Sequence, residues 1–330
     1  MNNLELENIY SDCTLCPRAC HADRYHHAGF CGAGTNVRLA RAALHFWEEP
    51  CLIGDPAKPA GAGAVFFSHC TLKCLFCQNY DISSEGFGKD VSIRQLADIM
   101  LRLESEGAAC IDLVTASHYI PSVIAALDLV RHKLRIPVVF NCGGYESVEA
   151  LKLLDGYIDI YLPDLKYFDD GLAVRYSSAP HYFRTALAAI REMIRQTGDP
   201  VFRSPSASVE TSDAEILQPA GDASSDSSGT LLRGVIIRHM VLPGCRKDSI
   251  ALLSCLAEEL GREHFLISLL SQYTPFFHAK DHPEINRRIT SFEYDSVLDH
   301  AVSLGLHGFM QEKSSAKEEY TPSFDLEGVY

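Results

Sequence analysis

The sequence lacks any apolar run long enough to cross a membrane, and it lacks the start of a secreted protein. No hydrophobic stretch approaches the roughly 18 residues that a membrane-spanning helix needs. Residues 1–7 are polar and acidic, which is not the pattern of a signal peptide. We therefore expect a cytoplasmic protein that has no membrane partner.

Positive charge is also scarce. The 330 residues include 29 Lys and Arg against 43 Asp and Glu, which gives a formal net charge of −14. Because nucleic-acid backbones are bound by clustered basic side chains, this balance argues against a nucleic-acid partner. Hydrophobic residues at 47% and charged residues at 22% are ordinary for a globular chain, and the length suits one large domain with a small appendage.

Cysteine, by contrast, is plentiful. The chain has twelve cysteines, and many of them fall in tight clusters instead of the scattered even set of a secreted disulfide scaffold. Clustered thiols of this kind predict metal binding in a reducing compartment.

The most informative cluster is Cys70, Cys74 and Cys77, spaced C-x3-C-x2-C directly after the apolar run 64–67. Three thiolates at this spacing can converge on a four-iron [4Fe–4S] cubane and leave one iron without a protein ligand. An open position of this kind, as in a catalytic zinc site, is where a substrate or cofactor binds. The alternative is a zinc knuckle completed by His69 or a distant cysteine, although zinc motifs favour C-x2-C pairs.

This triplet, followed by Gln78-Asn79-Tyr80, resembles the signature of the radical S-adenosylmethionine (SAM) superfamily. Five later segments look like pieces of the branch that is similar to pyruvate formate-lyase activating enzymes: TASH at 115–118, NCGGYE at 141–146, LPDLKY at 162–167, IRHMVLPG at 237–244 and SQYTP at 271–275. The resemblance covers most of the chain from about residue 13 to residue 311. It implies an oxidoreductase-like enzyme that uses a [4Fe–4S] cluster to cleave SAM reductively. The resulting 5′-deoxyadenosyl radical would abstract a hydrogen atom.

Strands and helices alternate along the chain after the triplet. Strands are predicted at 64–67, 110–115, 136–141, 158–162, 234–242 and 265–270, and helices at 91–106, 121–132, 147–154, 182–196, 248–260 and 294–303. Periodicity alone fits either a doubly wound sheet or a barrel. The resemblance implies an α/β fold, a partial (β/α)6 TIM-like barrel with a small N-terminal cysteine-rich appendage. Ligands are then expected at the carboxyl ends of the strands.

A second set of thiols precedes the barrel. It has the spacing C-x2-C-x3-C-x10-C and consists of Cys13, Cys16, Cys20 and Cys31. Four thiolates with no open position suit a structural zinc or an auxiliary iron–sulfur cluster, and ligand softness does not separate the two. A reduced loop without metal is the alternative.

We divide the chain into three parts. Residues 1–58 are predicted to form the cysteine-rich appendage and a bridge, residues 59–312 the barrel, and residues 313–330 a polar, loosely held tail. Within the barrel, a Ser-rich segment at about 204–230 is too polar to bury a core, and we predict a disordered insertion there.

Charged residues stand where strands are predicted to end. Asp164 and Lys166 resemble the activating-enzyme motif near the ribose and carboxylate of SAM, and alternation places both on one strand face. A solvated ion pair is the alternative. Arg238 interrupts an apolar strand, where a buried guanidinium needs an anionic partner, for which the SAM carboxylate is the natural candidate. Phe76 occupies the position of a family aromatic near adenine, although core packing explains it equally well.

One segment departs from the activating-enzyme pattern. Those enzymes end the second strand with Gly-Gly-Glu, which holds the SAM amino group, whereas this chain has Thr115-Ala116-Ser117-His118. Thr115 and Ser117 are candidates to accept that hydrogen bond. Asn141 also ends a strand at the predicted mouth and is expected to line the cavity.

The resemblance implies two partners, an electron donor such as a flavodoxin or ferredoxin and a glycyl-radical protein whose glycine is the substrate. A small molecule or another peptide position is the alternative substrate. A non-catalytic electron-transfer protein is the competing class, and four cysteines would then hold each cluster. Nucleic-acid binding through a cysteine finger at 13–31 is disfavoured by the acidic composition.

Overall fold

The structure is a computed structural model that describes residues 8–54, 60–203, 218–220, 229–311 and 322–330. The predicted boundary at residues 58 and 59 and most of the Ser-rich insertion lie outside these ranges. The part of the insertion that is described, Gln218–Ala220, is a short strand where a disordered loop was predicted.

One mixed sheet organises the described residues. Its strands are β1 (Val37–His45), β2 (Ala62–Phe67), β3 (Lys89–Val91), β4 (Ile111–Val114), β5 (Val138–Cys142), β6 (Ile160–Pro163), β7 (Val201–Arg203), β8 (Gln218–Ala220), β9 (Thr230–Met240), β10 (Leu266–Leu270) and β11 (Gly308–Gln311). The order across the sheet is β3-β1-β2-β4-β5-β6-β9-β10-β11-β8, and β7 pairs beside β9. From β2 to β8 the neighbours along this order are parallel, whereas β1 is antiparallel to both β2 and β3.

Helices alternate with the parallel strands. They are α1 (Tyr80–Ser83), α2 (Ile93–Ser105), α3 (Ile120–Val130), α4 (Val148–Lys152), α5 (Asp170–Ser177), α6 (Tyr182–Thr197), α7 (Arg246–Leu260) and α8 (Ser291–Ser303), with 3₁₀ turns at Pro50–Leu52, Ser117–Tyr119 and Phe277–Asp281. Capping boxes fix two starts, Ser92 with Gln95 for α2 and Thr290 with Glu293 for α8. In the ranges that the structure describes, no helix is both long and apolar enough to span a bilayer.

The predicted α/β partial barrel is confirmed. The six predicted strands are β2, β4, β5, β6, β9 and β10, adjacent in that order, and the sheet is open. β11 and β8 extend the parallel run beyond the six predicted strands.

Alternation along the strands separates two apolar faces. One face, which includes Leu113 and Ile237, packs in the large core with the helices. The other face is the concave interior, where the buried members are Cys51, Leu52, Ala62, Cys110, Val139, Ile160, Leu162, Leu231, Ile236 and Phe309. Because Cys51 and Leu52 belong to the turn Pro50–Leu52, this turn closes one end of the interior with apolar side chains. We call that closed end the floor.

Residues 322–330 lie along β1, and we call them the β1 strap. Leu326 N–H donates to Ala40 O at 3.0 Å and Ala42 N–H donates to Glu327 O at 2.8 Å. Arg102 of α2 also donates to Gly328 O at 3.2 Å. The strap differs from the expectation of a loose tail because β3 pairs only with residues 37–39 of β1. The free edge beyond them offers backbone groups that need partners.

Candidate active site

The three cysteines of the triplet lie in one half-buried loop that follows β2. The end of α5 anchors this loop, since Lys73 N–H donates to Ser177 O at 3.1 Å and Leu75 N–H donates to Tyr176 O at 2.8 Å. Gly143, after β5, allows the close approach, because a Cβ there would lie 2.8 Å from Leu72 Cδ1. The loop therefore sits at the carboxyl ends of the parallel strands, as the sequence predicts.

Each sulfur of the triplet has a hydrogen-bond partner of its own. Leu72 N–H donates to Cys70 Sγ at 3.4 Å, and the Ser177 hydroxyl donates to Cys74 Sγ at 3.0 Å. Cys77 Sγ lies 3.2 Å from the Ser83 hydroxyl. Donors aimed at sulfur stabilise thiolates and help to set the potential of an iron–sulfur cluster.

Burial keeps these thiols protonated in the absence of metal. It raises the pKa of Cys77 to about 11, and the neighbouring Cys74 contributes. Burial also raises the pKa of Cys70 and Cys74, although the Lys166 ammonium partly offsets the effect at Cys74. Because metal binding requires thiolates and releases their protons, a buried set with sulfur-directed donors and nearby cations fits an iron–sulfur cluster.

The N-terminal appendage touches the triplet loop directly. Arg18 Nε donates to Thr71 O at 3.1 Å, and Lys73 Nζ donates to Cys31 O at 3.4 Å. The Arg18 guanidinium lies over the rings of Phe30 and Tyr145, at 4.0 and 5.2 Å from their centroids. The sequence predicts the appendage but not this contact.

The four appendage thiols lie near one another. A Cβ at Gly29 would lie 3.4 Å from Cys31 Sγ and 3.6 Å from Cys20 Sγ, so these two sulfurs flank the same glycine. Burial raises the pKa of Cys16 to about 12, and the charges of Cys31 and Cys13 contribute. Among the described residues, no group of three or more His, Cys, Asp or Glu side chains has the arrangement of a site for a single metal ion.

A layer of polar side chains crosses the interior between the triplet loop and the floor. Each member lies two residues beyond an interior apolar residue, so strand alternation aims it inward. The strand members are Asp112, Asn141, Asp164, Arg238 and Ser268, which follow Cys110, Val139, Leu162, Ile236 and Leu266. The sequence identifies three of these five residues as site candidates.

Asp164 stands between two cations at the centre of this layer. Lys166 Nζ lies 2.6 Å from Asp164 Oδ2, and Arg238 Nε lies 2.8 Å from Asp164 Oδ1. Burial alone would raise the pKa of the carboxyl, but the Arg238 and Lys166 charges outweigh it and lower the pKa. The sequence predicts an anionic partner for Arg238, and the nearer of its carboxylate partners among the described residues is Asp164. Contact of these residues with SAM stays a prediction.

Asn141 connects Arg238 of this group to Asp112 on β4. Its side-chain oxygen accepts from Arg238 Nη2 at 2.5 Å, and its side-chain nitrogen donates to Asp112 Oδ2 at 3.2 Å. The amide thus links a guanidinium to a carboxyl, which fixes the orientation of all three side chains.

Glu48, Glu49 and Asp112 are site residues that the sequence analysis missed. Glu48 Oε2 lies 3.4 Å from Arg238 Nη1, and the Glu48 side chain also contacts Asp112 and Glu49. Both glutamates precede the floor turn Pro50–Leu52, so they approach the interior from the closed end. Asp112 could have been found, since a charged residue inside an apolar strand is the signal that identifies Arg238.

The segment that replaces Gly-Gly-Glu is unusual in its backbone. Thr115 has φ 62°, a left-handed conformation that a β-branched residue rarely adopts and that is often found at functional sites. Ser117 is buried and faces the Glu146 carboxyl. His118 Nε2 contacts Ser68 O at 2.8 Å, and burial lowers its pKa to about 3, so this imidazole is neutral. The role of Thr115 and Ser117 toward SAM stays a prediction.

Phe76 is buried beneath the loop and packs edge to face on Tyr273, with ring centroids 5.7 Å apart. This contact supports the packing interpretation of Phe76, and a contact with adenine stays a prediction.

Comparison with known proteins defines the class of this site. The family model described as the Radical SAM superfamily matches residues 64–203, which include the whole triplet loop and Asp164. The predicted resemblance to the radical SAM superfamily is confirmed over residues 64–203. A match to this family supports SAM-dependent radical chemistry with a [4Fe–4S] cluster at this site.

Individual proteins match this chain at low sequence identity. A protein of Methanocaldococcus jannaschii, MJ0674, is 26% identical over 315 residues, which are 91% of this chain and 77% of the relative. Among solved structures, SuiB of Streptococcus suis bound to the precursor peptide SuiA is similar at 13% identity and a TM-score of 0.44, over 74% of this chain and 46% of SuiB. The FeFe-hydrogenase maturase HydG of Carboxydothermus hydrogenoformans is similar at 12% identity and a TM-score of 0.45, over 77% of this chain and 58% of HydG. The chain thus spans about half the length of these two structures.

Proposed function

We propose that this chain is a radical SAM enzyme that abstracts a hydrogen atom from a polypeptide glycine in a glycyl-radical partner. The observation that carries the catalytic part is the placement of three hydrogen-bonded cysteine sulfurs beside a buried polar layer at the carboxyl ends of parallel strands. The choice of a glycyl-radical substrate depends on the likeness of segments such as Asp164-Leu165-Lys166 to activating enzymes. A small molecule or another peptide position is the alternative substrate.

The residues of this chain have distinct tasks in the proposal. Cys70, Cys74 and Cys77 would hold a [4Fe–4S] cluster, which when bound supplies the electron that cleaves SAM into methionine and a 5′-deoxyadenosyl radical. Lys166 and Arg238 would bind the carboxylate of SAM, and Asp164 holds both cations in position. The apolar floor beneath them excludes water from the interior.

The proposal includes an electron donor such as a flavodoxin or ferredoxin and a cytoplasmic location. Twelve cysteines without a disulfide among them fit a reducing compartment. Neither a nucleic acid nor a membrane is a partner in this proposal.

The test is SAM turnover by anaerobically reconstituted protein. After reduction, the protein should release 5′-deoxyadenosine, and deuterium should move into it from a glycyl-radical protein labelled at glycine. Deuterium transfer from a labelled small molecule would instead identify a small molecule as the substrate, in place of the glycyl-radical protein. Failure to release 5′-deoxyadenosine from protein shown to carry the cluster would refute the enzyme itself.

We further propose that Cys13, Cys16, Cys20 and Cys31 hold an auxiliary iron–sulfur cluster. Ala33 N–H donates to Cys31 Sγ at 3.5 Å, and Arg24 lies 3.9 Å from Cys13 Sγ, as suits bound thiolates. Four thiolates suit a cubane, whose thiolates bind separate irons, and metal analysis separates this cluster from a structural zinc. Reconstituted protein should then contain about eight irons, and one zinc with about four irons would show the opposite.

Ser177 gives a specific prediction about the triplet. Its hydroxyl donates to Cys74 Sγ and lies 2.7 Å from the Tyr167 hydroxyl. Because hydrogen bonds to sulfur favour the more negative, reduced state, Ser177→Ala should lower the cluster potential by roughly 40 mV, the equivalent of about 1 kcal/mol for one electron. Redox titration followed by electron paramagnetic resonance measures the shift.

Tyr167→Phe should lower the potential in the same direction by a smaller amount, since it removes only the partner of the Ser177 hydroxyl. Ser303→Ala, at an exposed hydroxyl of α8, is the control and should leave the potential unchanged. An unchanged potential in Ser177→Ala would show that this hydroxyl does not act on the cluster.

A further inference from the structure

Carboxyl groups outnumber cations in the polar layer. The carboxyl groups are Glu48, Glu49, Asp112 and Asp164, and the cations are Arg238 and Lys166. Asp164 forms ion pairs with both cations, and Glu48 Oε2 also lies 3.4 Å from Arg238 Nη1. We call Glu48, Glu49 and Asp112 the acidic recess.

Two oxygens of the acidic recess are buried without a hydrogen-bond donor. These are Glu49 Oε2 and Asp112 Oδ1, on residues that are 7% and 0% exposed. A buried carboxyl oxygen left without a donor costs free energy, so such atoms are rare unless something else binds them. His45, 3.9 Å from Glu48 Oε1, does not supply a charge, because burial lowers the pKa of its imidazole to about 4.

Protons balance the recess while it is empty of other cations. Burial raises the pKa of Glu49 to about 7, although the Arg238 charge opposes the shift. Burial likewise raises the pKa of Glu48 and of Asp112. The side chains of Glu48 and Asp112 are in contact, and two carboxyl groups this close disfavour the ionised form of each other.

The recess continues the polar layer inward from the triplet loop. Side-chain exposure falls from 25% at Asp164 to 17% at Arg238 and 9% at Glu48. The recess is thus the deep end of a row that starts beside Lys166, whose charge acts on Cys74 of the triplet loop. A group bound there would extend toward the site of radical chemistry.

The chemistry of the recess selects an organic cation. In the described residues, no group of three or more His, Cys, Asp or Glu has the arrangement for a single metal ion, which disfavours a metal occupant. An ammonium or guanidinium carries several N–H donors, and either matches carboxyl oxygens that lack donors.

We propose that the acidic recess binds a positively charged nitrogen group of the substrate, an ammonium or a guanidinium, with Glu49 and Asp112 accepting its hydrogen bonds. This inference rests on the proposed function in one respect, that the interior is the substrate chamber. The group belongs either to a small amine or to a Lys or Arg side chain of a peptide.

Isothermal titration calorimetry on the reconstituted full chain tests the inference. The small probes are n-butylammonium and n-butylguanidinium, with n-butanol as the uncharged control. The peptide probe is acetyl-Gly-Gly-Lys-Gly-Gly-amide, and the same peptide with norleucine in place of Lys is its control. Charged probes should bind and release protons at pH 7, and the uncharged controls should not bind. Tighter binding of the peptide than of the small amine identifies a peptide substrate, and the reverse order identifies a small one.

Glu49→Gln and Asp112→Asn should each weaken binding of the charged probe about ten-fold to a hundred-fold, because each removes a charged acceptor. Glu259→Gln, a matched change at an exposed ion pair with Arg191, should leave binding unchanged. Thermal unfolding identifies any variant that does not fold. If one recess variant does not fold, binding of the charged probe by the other recess variant tests the inference. Equal binding of charged and uncharged probes, or unchanged binding in folded recess variants, would overturn the inference. SAM cleavage by the wild-type protein is measured separately, so cleavage without probe binding refutes only the recess, and probe binding without cleavage refutes only the proposed enzyme.

Discussion

Replacing Cys74 by serine should abolish iron–sulfur binding at the triplet loop and reduce the release of 5′-deoxyadenosine to background. Three sulfurs are the whole protein ligand set in the proposal, and a serine hydroxyl is a poor substitute for a soft thiolate. Cys74 is also the sulfur that accepts from Ser177 and experiences the Lys166 charge, so its loss removes the link between the loop and the polar layer. Iron content, absorbance of the reconstituted protein and product release measure the effect.

Cys255→Ser is the matched control for this change. Cys255 lies on α7, far along the chain from the triplet, and belongs to neither of the two proposed ligand sets. This variant should keep both its iron and its turnover. If Cys74→Ser kept full turnover, the triplet would not be the catalytic ligand set. Because the appendage thiols could retain iron of their own, iron should be counted again in a Cys74→Ser variant that also carries Cys16→Ser and Cys20→Ser.

Replacing Arg238 by methionine should destabilise the protein by about 3–5 kcal/mol at pH 8, because it leaves buried carboxyl groups without their cation. Burial opposes the charge of the guanidinium, but Asp164, Glu49 and Glu48 outweigh burial and raise its pKa, which shows how strongly the carboxyl groups hold it. Urea denaturation measures the free energy of unfolding.

The loss in Arg238→Met should be smaller at pH 5.5. The recess carboxyl groups already have raised pKa values in the folded protein, with that of Glu49 at about 7 against an ordinary value of 4.5. A raised carboxyl pKa means that stability is greatest when the group is protonated and falls as pH rises toward the folded-state value. Removing the guanidinium raises these pKa values further, so the free energy of unfolding decreases more as the pH rises. Arg191→Met, at an exposed pair with Glu259, should change stability little at either pH. Equal losses at both pH values would show that the effect is packing and not charge.

Much of the fold could be predicted because apolar runs mark buried parallel strands. The strand that contains Arg238 is recognisable from the residues Val235-Ile236-Ile237, and α2 is recognisable from its helical spacing and its stop at Gly107. β11 was not predicted, since its four residues include one glycine and pair only with strands distant in sequence or outside the barrel pattern. Helix α5, Asp170–Ser177, has a weak apolar pattern and was also not predicted, although its end anchors the triplet loop.

Beyond the cysteine triplet, which its spacing identifies, the residues of the polar layer could be predicted only where a strand supplies them. Asp164, Arg238 and Asn141 stand at strand ends, so topology alone brings them together. Glu48 and Glu49 reach the same layer from a turn at the opposite end, and no local pattern shows that this turn closes the floor. Likewise, the contact of Arg18 with the triplet loop joins segments more than fifty residues apart, a distance that spacing rules do not cover.

The β1 strap has a consequence for biosynthesis. Arg41 donates to Ser323 O, a partner 282 positions later in the sequence. After β1 and β2 have been synthesised, the ribosome must therefore add most of the polypeptide before residues 322–330 can cover the free edge of β1. Until then the edge of β1 in the nascent chain has unpaired backbone N–H and C=O groups, which can pair with any other extended segment. Expression of fragments that stop before residue 322 should accordingly yield aggregates, and a chaperone that covers extended backbone should be most useful during this interval.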